Sequence, residues 1–248
     1  MKAPPARMPS PFVLALWRHT GRLIALRPQR WSASAPHPVL AEALGDWAHR
    51  WSDIHDHLGT LFVETAASGG GLVVELGVRS GLSTRALLAA ADVAGGRLIS
   101  VDLCERPTLE GPERLLGRWS FVQSDDVAFA GAPFAAWCAE RGLDPIARAI
   151  FLDTSHRYEH TRAELAAWLP RLAPGGALML HDTNMGDWFR TLDGRVTKGW
   201  DNDRGVMRAI EEILGRAYDE TTYFTDCAAG FAVSHRPWGS GFTVLRRI

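Results

Sequence analysis

The stretch Leu72-Val-Val-Glu-Leu-Gly-Val-Arg-Ser-Gly-Leu-Ser-Thr-Arg-Ala-Leu-Leu-Ala-Ala-Ala91 decides the fold. Leu72 to Leu76 is a short apolar run with only Glu75 polar, the pattern of a strand buried on both faces. Gly77 and Gly81 bracket a tight turn, and an alanine- and leucine-rich helix follows to about Ala91, with Ser83 or Thr84 as its cap. Free N–H groups at such a helix start make a polar cradle. A dinucleotide fingerprint would read G-x-G-x-x-G. Here the pattern is Glu75-x-Gly77-x-x-x-Gly81, without the third glycine. A carboxylate at a strand end suits a ligand with an ammonium group better than a pyrophosphate.

This strand-turn-helix resembles motif I of the class I S-adenosylmethionine-dependent methyltransferases. The resemblance implies that Gly77, Ser80 and Gly81 pack against the methionine part of the cofactor with Glu75 close by. With Ser83 at the helix start, these residues are the first half of the expected cofactor site.

Length and composition set the frame. The 248 residues, 46% of them hydrophobic, allow one α/β domain with an additional arm. A formal net charge of −1 argues against a general nucleic-acid binder and favours a small-molecule partner. Cys104, Cys138 and Cys227 are widely spaced and form no C-x-x-C pair, so neither a disulfide framework nor a zinc knuckle is expected and a cytoplasmic location fits. The early apolar run Pro11 to Trp17 is too short to span a bilayer, and no small-residue cleavage site directly follows it.

Residues 1 to about 40 carry Lys2, Arg7, Arg18, Arg22, Arg27 and Arg30 and no acidic residue before Glu42. Phe12, Leu16, Leu23 and Leu26 permit a short basic amphipathic helix, suited to a peripheral membrane contact or to packing on the domain or on a second subunit of a homo-oligomer. Leu44, Trp47, Trp51, Ile54, Leu58 and Leu61 recur at helical spacing and predict a helix over about 40–66, with His49, His55 and His57 as solvated or capping groups. Residues 1–66 thus read as a basic arm and helical extension, and 67–248 as the main domain.

Within that domain Gly96 to Asp102 is a second strand ending in a carboxylate, and Asp102 is the expected ligand of a ribose. Trp119 to Gln123 is a third strand, after which the methyltransferase resemblance implies adenine contacts from Ser124, Asp125 or Asp126. A helix over about 129–140 leads to a fourth strand, Arg148 to Asp153, and a helix over about 161–172 leads past Pro174-Gly175-Gly176 to a fifth, Ala177 to Thr183. Strands alternating with helices predict a doubly wound, mostly parallel sheet with ligands gathered at the carboxyl ends of the strands.

Asp153-Thr-Ser-His156 and His181-Asp182-Thr183 lie at two of those ends. Two carboxylates on one rim suit a hard divalent cation. Together with the glycine turn they resemble the metal-dependent small-molecule and sugar O-methyltransferases, including those acting on macrolide sugars, and their cephalosporin-biosynthesis relatives, over roughly 72–184. The resemblance implies a seven-stranded Rossmann-like sheet with an antiparallel last strand, S-adenosylmethionine and Mg²⁺ as cofactors, Asp153 and Asp182 as metal ligands, and His156 as general base. Where catechol-type relatives have a lysine and a further acidic or amide ligand, this chain has His156, and His181 and Thr183 beside Asp182. Three roles stay open for His181, a third metal ligand, a group that orients substrate or one that only accepts a backbone hydrogen bond, and Asn184 is another candidate ligand.

Residues 184–204 are polar and glycine-containing, with Trp188, Phe189 and Trp200, and read as an insertion that shapes an acceptor pocket. Gly205 to Leu214 is an amphipathic helix, and Thr221 to Phe224, Gly230 to Ser234 and Gly241 to Arg247 are strand-like. The expected activity is methyl transfer to a hydroxyl of a small metabolite or glycosylated natural product. A nicotinamide-dependent oxidoreductase on a similar sheet and a non-catalytic binding protein with this fold are the alternatives.

Overall fold

The computed structural model describes residues 52–248, so the basic arm and the first part of the expected 40–66 helix, His49 included, lie outside the described residues. A 3-10 turn, Asp53–His57, opens into helix α1, Leu58–Ala67. Strand β1, Leu72–Leu76, helix α2, Leu82–Ala94, and strand β2, Arg97–Asp102, follow. A one-turn helix α3, Glu113–Leu116, precedes β3, Trp119–Gln123. The helix expected over 129–140 is two pieces, α4, Asp126–Phe129, and α5, Ala132–Ala139. Pro133, in the first turn of α5, has no N–H to continue α4 and forces the break.

Strand β4, Ala147–Leu152, is followed by α6, Tyr158–Trp168, and by β5, Leu172–His181. The 184–204 insertion folds into a hairpin, β6, Trp188–Arg190, with β7, Val196–Lys198. Helix α7, Gly205–Leu214, then leads to β8, Phe224–Ala228, β9, Phe231–Arg236, and β10, Phe242–Arg247.

The main sheet has eight strands in the order β3-β2-β1-β4-β5-β10-β9-β8. The first five are parallel, while β10, β9 and β8 each run antiparallel to the preceding neighbour. The expected seven strands with one antiparallel member are corrected accordingly. The additional strand is β8, displaced from the expected 221–224. It lies at the sheet edge with alternate residues exposed, which leaves it only a weak apolar signature.

Alternation along β1 sorts its side chains between two cores. Leu72, Val74 and Leu76 point to the face covered by Phe134, Trp168, Val206, Met207 and Ile210. Val73 joins the opposite face with Leu58, Leu61, Phe62, Leu87 and Ala90 of α1 and α2. Burying each large side chain contributes roughly 1.5–3 kcal/mol, so these two layers hold the sheet flat between them. The helices thereby fix where every parallel strand stops.

At those stops the backbone is crowded. Gly77 donates its N–H to the Val101 carbonyl at 3.0 Å, and Asp153 donates to the Leu76 carbonyl at 2.9 Å. Gly77 has φ +84°, and a Cβ there would lie 2.1 Å from the carbonyl oxygen of Asp153. Both conformation and space demand glycine. Gly77→Ala should lower the unfolding free energy by about 2–4 kcal/mol in urea titrations. A variant as stable as wild type would show that the turn does not bear on Asp153.

Candidate functional site

The Gly77 turn is built over a buried carboxylate. Glu75 faces α2, where burial is complete. Its oxygens accept hydrogen bonds from Ser83 Oγ at 2.7 Å, Thr84 Oγ1 at 2.8 Å and Ser100 Oγ at 2.5 Å. Ser100 stands directly opposite Glu75 in the β1–β2 register. Burial pushes the Glu75 carboxyl up to about 7 against the opposing pull of these hydroxyls. Glu75 therefore holds the turn from beneath. Ser83 and Thr84 serve Glu75 and do not cap α2, whose N-cap is Gly81 in the left-handed region.

Asp102 lies at the rim beside the same turn. Its Oδ2 accepts from the N–H of Val78 at 2.7 Å and of Arg79 at 3.3 Å, and its Oδ1 from Cys104 N–H at 2.8 Å. Partial burial raises its pKa, but these backbone donors outweigh it and hold the carboxyl below its ordinary value. Ser80 is exposed at the outer edge of the turn, and Gly81 is covered by Leu109 and Pro107 from the loop after β2.

The three residues after β3 part company. The Ser124 hydroxyl donates to the Asp125 carbonyl at 3.1 Å, and Asp125 caps α4 through Ala128 N–H at 2.7 Å. Asp126 turns inward to His160 Nε2 at 3.2 Å, and His160 lies 3.8 Å from Glu164. Glu164 is buried and accepts from Thr154 Oγ1 at 2.8 Å; burial first, then neighbouring Asp126, drive its carboxyl well up. This Asp126–His160–Glu164 group was missed in the sequence, although the i, i+4 spacing of His160 and Glu164 on α6 carried the signal.

The β4 and β5 ends bring the second half of the expected site together. Leu152 pairs with Leu180, so the next residues of each strand adjoin. His181 Nδ1 lies 3.2 Å from Asp153 Oδ1 and 3.3 Å from Asp182 Oδ1. His156 Nε2 is 3.0 Å from Asp182 Oδ2 and 3.8 Å from Asp153 Oδ1. His156 and Asp182 both have φ +56°, an uncommon conformation for residues with a Cβ. His181 Nε2 points to the Gly239 carbonyl at 3.1 Å, which assigns the hydrogen to that nitrogen and aims Nδ1 at the two carboxylates. Burial lowers the His181 pKa, but Asp182 and Asp153 overcome it and lift the value to about 10. For His156, too, burial lowers the pKa and Asp182 and Asp153 raise it, with a net upward shift.

The neighbours of this cluster are occupied. Thr183 Oγ1 faces His235 Nδ1 at 3.4 Å, and Asn184 Nδ2 donates to the Pro237 carbonyl at 2.7 Å. Two contributors escaped the sequence reading. Asn202, in the insertion, is buried and donates Nδ2 to the Asp182 carbonyl at 3.0 Å. Asp53, before α1, offers a ligand atom within 4.8 Å of those of His181 and Asp182. His57 corrects another expectation: it is fully buried, not solvated, and its Nε2 reaches the carbonyls of Trp238 at 3.0 Å and Gly239 at 3.2 Å. His55 does act as a cap, facing the Ser52 backbone. Trp200 lies with its ring 6.0 Å from that of His156, and Trp188 is exposed.

Residues 74–183 match a family model described as a methyltransferase domain. This stretch, from within β1 to the residue after Asp182, is similar to a methyltransferase domain. Among solved structures, it is 17% identical to MycE, a methyltransferase of the mycinamycin biosynthetic pathway solved with Mg, SAH and mycinamycin VI; the match has a TM-score of 0.51 and covers 86% of this chain and 55% of that one. It is 12% identical to the SAH-bound methyltransferase PaMTH1 of Podospora anserina, with a TM-score of 0.51 over 98% and 99% of the two chains. CalS11, a TDP-rhamnose 3'-O-methyltransferase of calicheamicin biosynthesis, is 17% identical over 97% and 96% of the chains, with a TM-score of 0.48. These likenesses are of fold, and the chain spans 40% and 55% of the two MycE chains it matches. No curated protein matches it in sequence. Among the described residues no helix is long and apolar enough to cross a membrane.

The folded Glu75 value of about 7 exceeds its ordinary 4.5, so the folded state holds the extra proton between those values. Stability contributed by this group is complete below about 4.5 and falls as pH rises to about 7. Glu75→Gln, which does not titrate, should flatten that part of a stability-against-pH curve measured by thermal unfolding. An unchanged slope would assign the titration to another group.

Proposed function

We propose that the protein transfers the methyl group of S-adenosylmethionine to a hydroxyl of a small metabolite or glycosylated natural product, with help from Mg²⁺ or another divalent cation. The observation that carries this reading is the convergence of Asp153, His156, His181 and Asp182 beside the Gly77 turn. The shared fold with MycE, solved with Mg and a macrolide, supports it.

The residues fit a cation. Asp182 Oδ1 is buried yet makes no hydrogen bond among the described residues, and His181 directs Nδ1 at two carboxylates. Such an arrangement calls for positive charge at its centre, from a proton or from a metal. Asp153, Asp182 and His181 would hold the ion through two oxygens and one nitrogen. Bound there, a divalent cation lowers the pKa of a nearby hydroxyl.

S-adenosylmethionine brings the sulfonium methyl that is transferred. The chain's own contribution begins with Asp102, whose oxygens retain acceptor capacity for ribose hydroxyls after taking three backbone N–H groups. Gly77, Ser80 and Gly81 form the turn against which the methionine part packs, and Ser124, Asp125 and Asp126 border the adenine side. His156 Nε2, at the surface end of the cluster, takes the proton of the acceptor hydroxyl. Trp188 and Trp200 offer ring faces for a sugar or aromatic acceptor. Most of the acceleration comes from holding oxygen and methyl carbon in line, because methyl transfer leaves little for covalent catalysis.

Calorimetry with S-adenosylhomocysteine tests the cofactor half. Asp102→Ala should weaken binding by about 1.5–3 kcal/mol, the loss of a charged hydrogen-bonding group, and unchanged affinity would remove Asp102 from the site. For the chemical half, His156→Ala should lower product formation on hydroxylated glycosides about 10²-fold or more with homocysteine-cofactor affinity intact. Full turnover in that variant would end the role of His156 as base.

A further inference from the structure

The cation reading leaves one neighbouring carboxylate without a task. Asp53 belongs to the 3-10 turn Asp53–His57, more than a hundred residues before the β5 end, yet it approaches His181 and Asp182 to within ligand distance of a common ion. Its Oδ1 accepts from Ile54 N–H and from Ser52 Oγ, both at 3.0 Å, which fixes the carboxylate on its turn. The buried Asp182 Oδ1, without a hydrogen bond among the described residues, belongs to the same trio.

The turn is docked by its other side chains as well. His57 Nε2 and His181 Nε2 share the Gly239 carbonyl, at 3.2 and 3.1 Å. Asp56 Oδ2 accepts from Leu192 N–H at 2.7 Å, between the strands of the insertion hairpin. The turn thus bridges the β5 end, the loop before β10 and the hairpin over the proposed acceptor side. An ion seated on His181 and Asp182 and also held by Asp53 would tie all of them to one point.

We propose that Asp53 is a further ligand, beside His181 and Asp182, of the divalent cation, so that the cation ties the 53–57 turn to the end of β5. This rests on the cation reading of the preceding section. The one nitrogen and two carboxylates of His181, Asp53 and Asp182 form a donor set for a hard or borderline divalent ion, with room in its shell for waters or a substrate oxygen.

Mn²⁺ is a suitable probe, titrated into chelator-treated full-length protein and followed by the electron paramagnetic resonance of the free ion, with amide hydrogen exchange on the same samples. Wild type should bind Mn²⁺ and show slower exchange over residues 54–62 when it does. Asp53→Asn keeps the oxygen that caps Ile54 and should weaken Mn²⁺ about tenfold or more and abolish the exchange effect. Asp53→Glu, which restores a carboxylate, should recover most of the affinity and guards against a folding defect in the amide variant. Equal Mn²⁺ affinity in wild type and Asp53→Asn, or failure of Asp53→Glu to bind better than the amide, would overturn the assignment of Asp53 alone. Absence of Mn²⁺ binding by wild type would overturn the cation reading itself.

Discussion

The backbone at Gly77 passes so close to the carbonyl of Asp153 that no side chain fits between them. That contact joins the two halves of the site. The turn on one side is held by the Glu75 hydroxyl cage, and Asp153 on the other begins the histidine–carboxylate cluster. Neither can shift by an ångström without moving the other, because both are also tied by backbone hydrogen bonds to neighbouring strand ends. The methyl transfer proposed for this site would demand such rigidity, since its barrier depends chiefly on the distance and angle between two held groups.

Charge decides what the cluster can accept. His181 is the pivot: Gly239 takes the hydrogen of Nε2, and Nδ1 meets two carboxylate oxygens at about hydrogen-bond distance. A neutral Nδ1 facing two anions would be repelled, so this nitrogen carries a proton or faces a cation. The same carboxylates raise the His156 pKa, which favours its protonated form and works against a proton-accepting role. A cation among the carboxylates would reverse that pull, so the two functions proposed for the cluster support each other. His156 and Asp182, both in left-handed conformations, meet at 3.0 Å, and backbone strain at functional groups of this kind persists only when packing enforces it. Gly205 supplies part of that packing: a Cβ there would lie 2.6 Å from the His156 carbonyl.

Much of this was legible in the sequence where local pattern and tertiary position agree. The bounds of β1, β3 and α7 are those expected from the apolar runs Leu72–Leu76 and Trp119–Gln123 and from the amphipathic stretch Gly205–Leu214. Asp102, Asp153 and Asp182 were readable because a carboxylate after an apolar run in an alternating strand-helix pattern lies on one rim. The hydroxyl cage of Glu75 was harder to read. Alternation along β1 turns it toward α2, and the hydroxyls that receive it lie eight, nine and twenty-five residues away, with only the β1–β2 register to reveal the last. His57 and Asp53 were beyond reach, since their partners at 181, 182 and 238–239 are set by how the first turn lands on the sheet. Strand β8 was expected too early, at 221–224, because an edge strand with polar alternate residues differs little from a loop.

The way the first described turn lands on the sheet also bears on specificity. Segments distant in the chain, 53–57, 188–198 and 237–241, meet above the ends of β4 and β5 through Asp56 to Leu192, His57 to Gly239 and Gly239 to Arg190. The parallel strands and their glycine turn supply a platform determined by the fold, and such platforms carry many different activities. The covering segments are loops and a small hairpin, whose sequence can vary without disturbing the sheet. Under the proposed function their shape would select the acceptor, whereas Asp102 and the Gly77 turn would serve the cofactor side, which does not change from one acceptor to another. Because the cover and the cluster share the Gly239 carbonyl, a change in the covering loops reaches His181 through a single hydrogen bond. Under the proposed function, substrate selection and the electrostatics of proton removal would thus be physically linked, because an acceptor that disturbs the cover would alter the surroundings of His181.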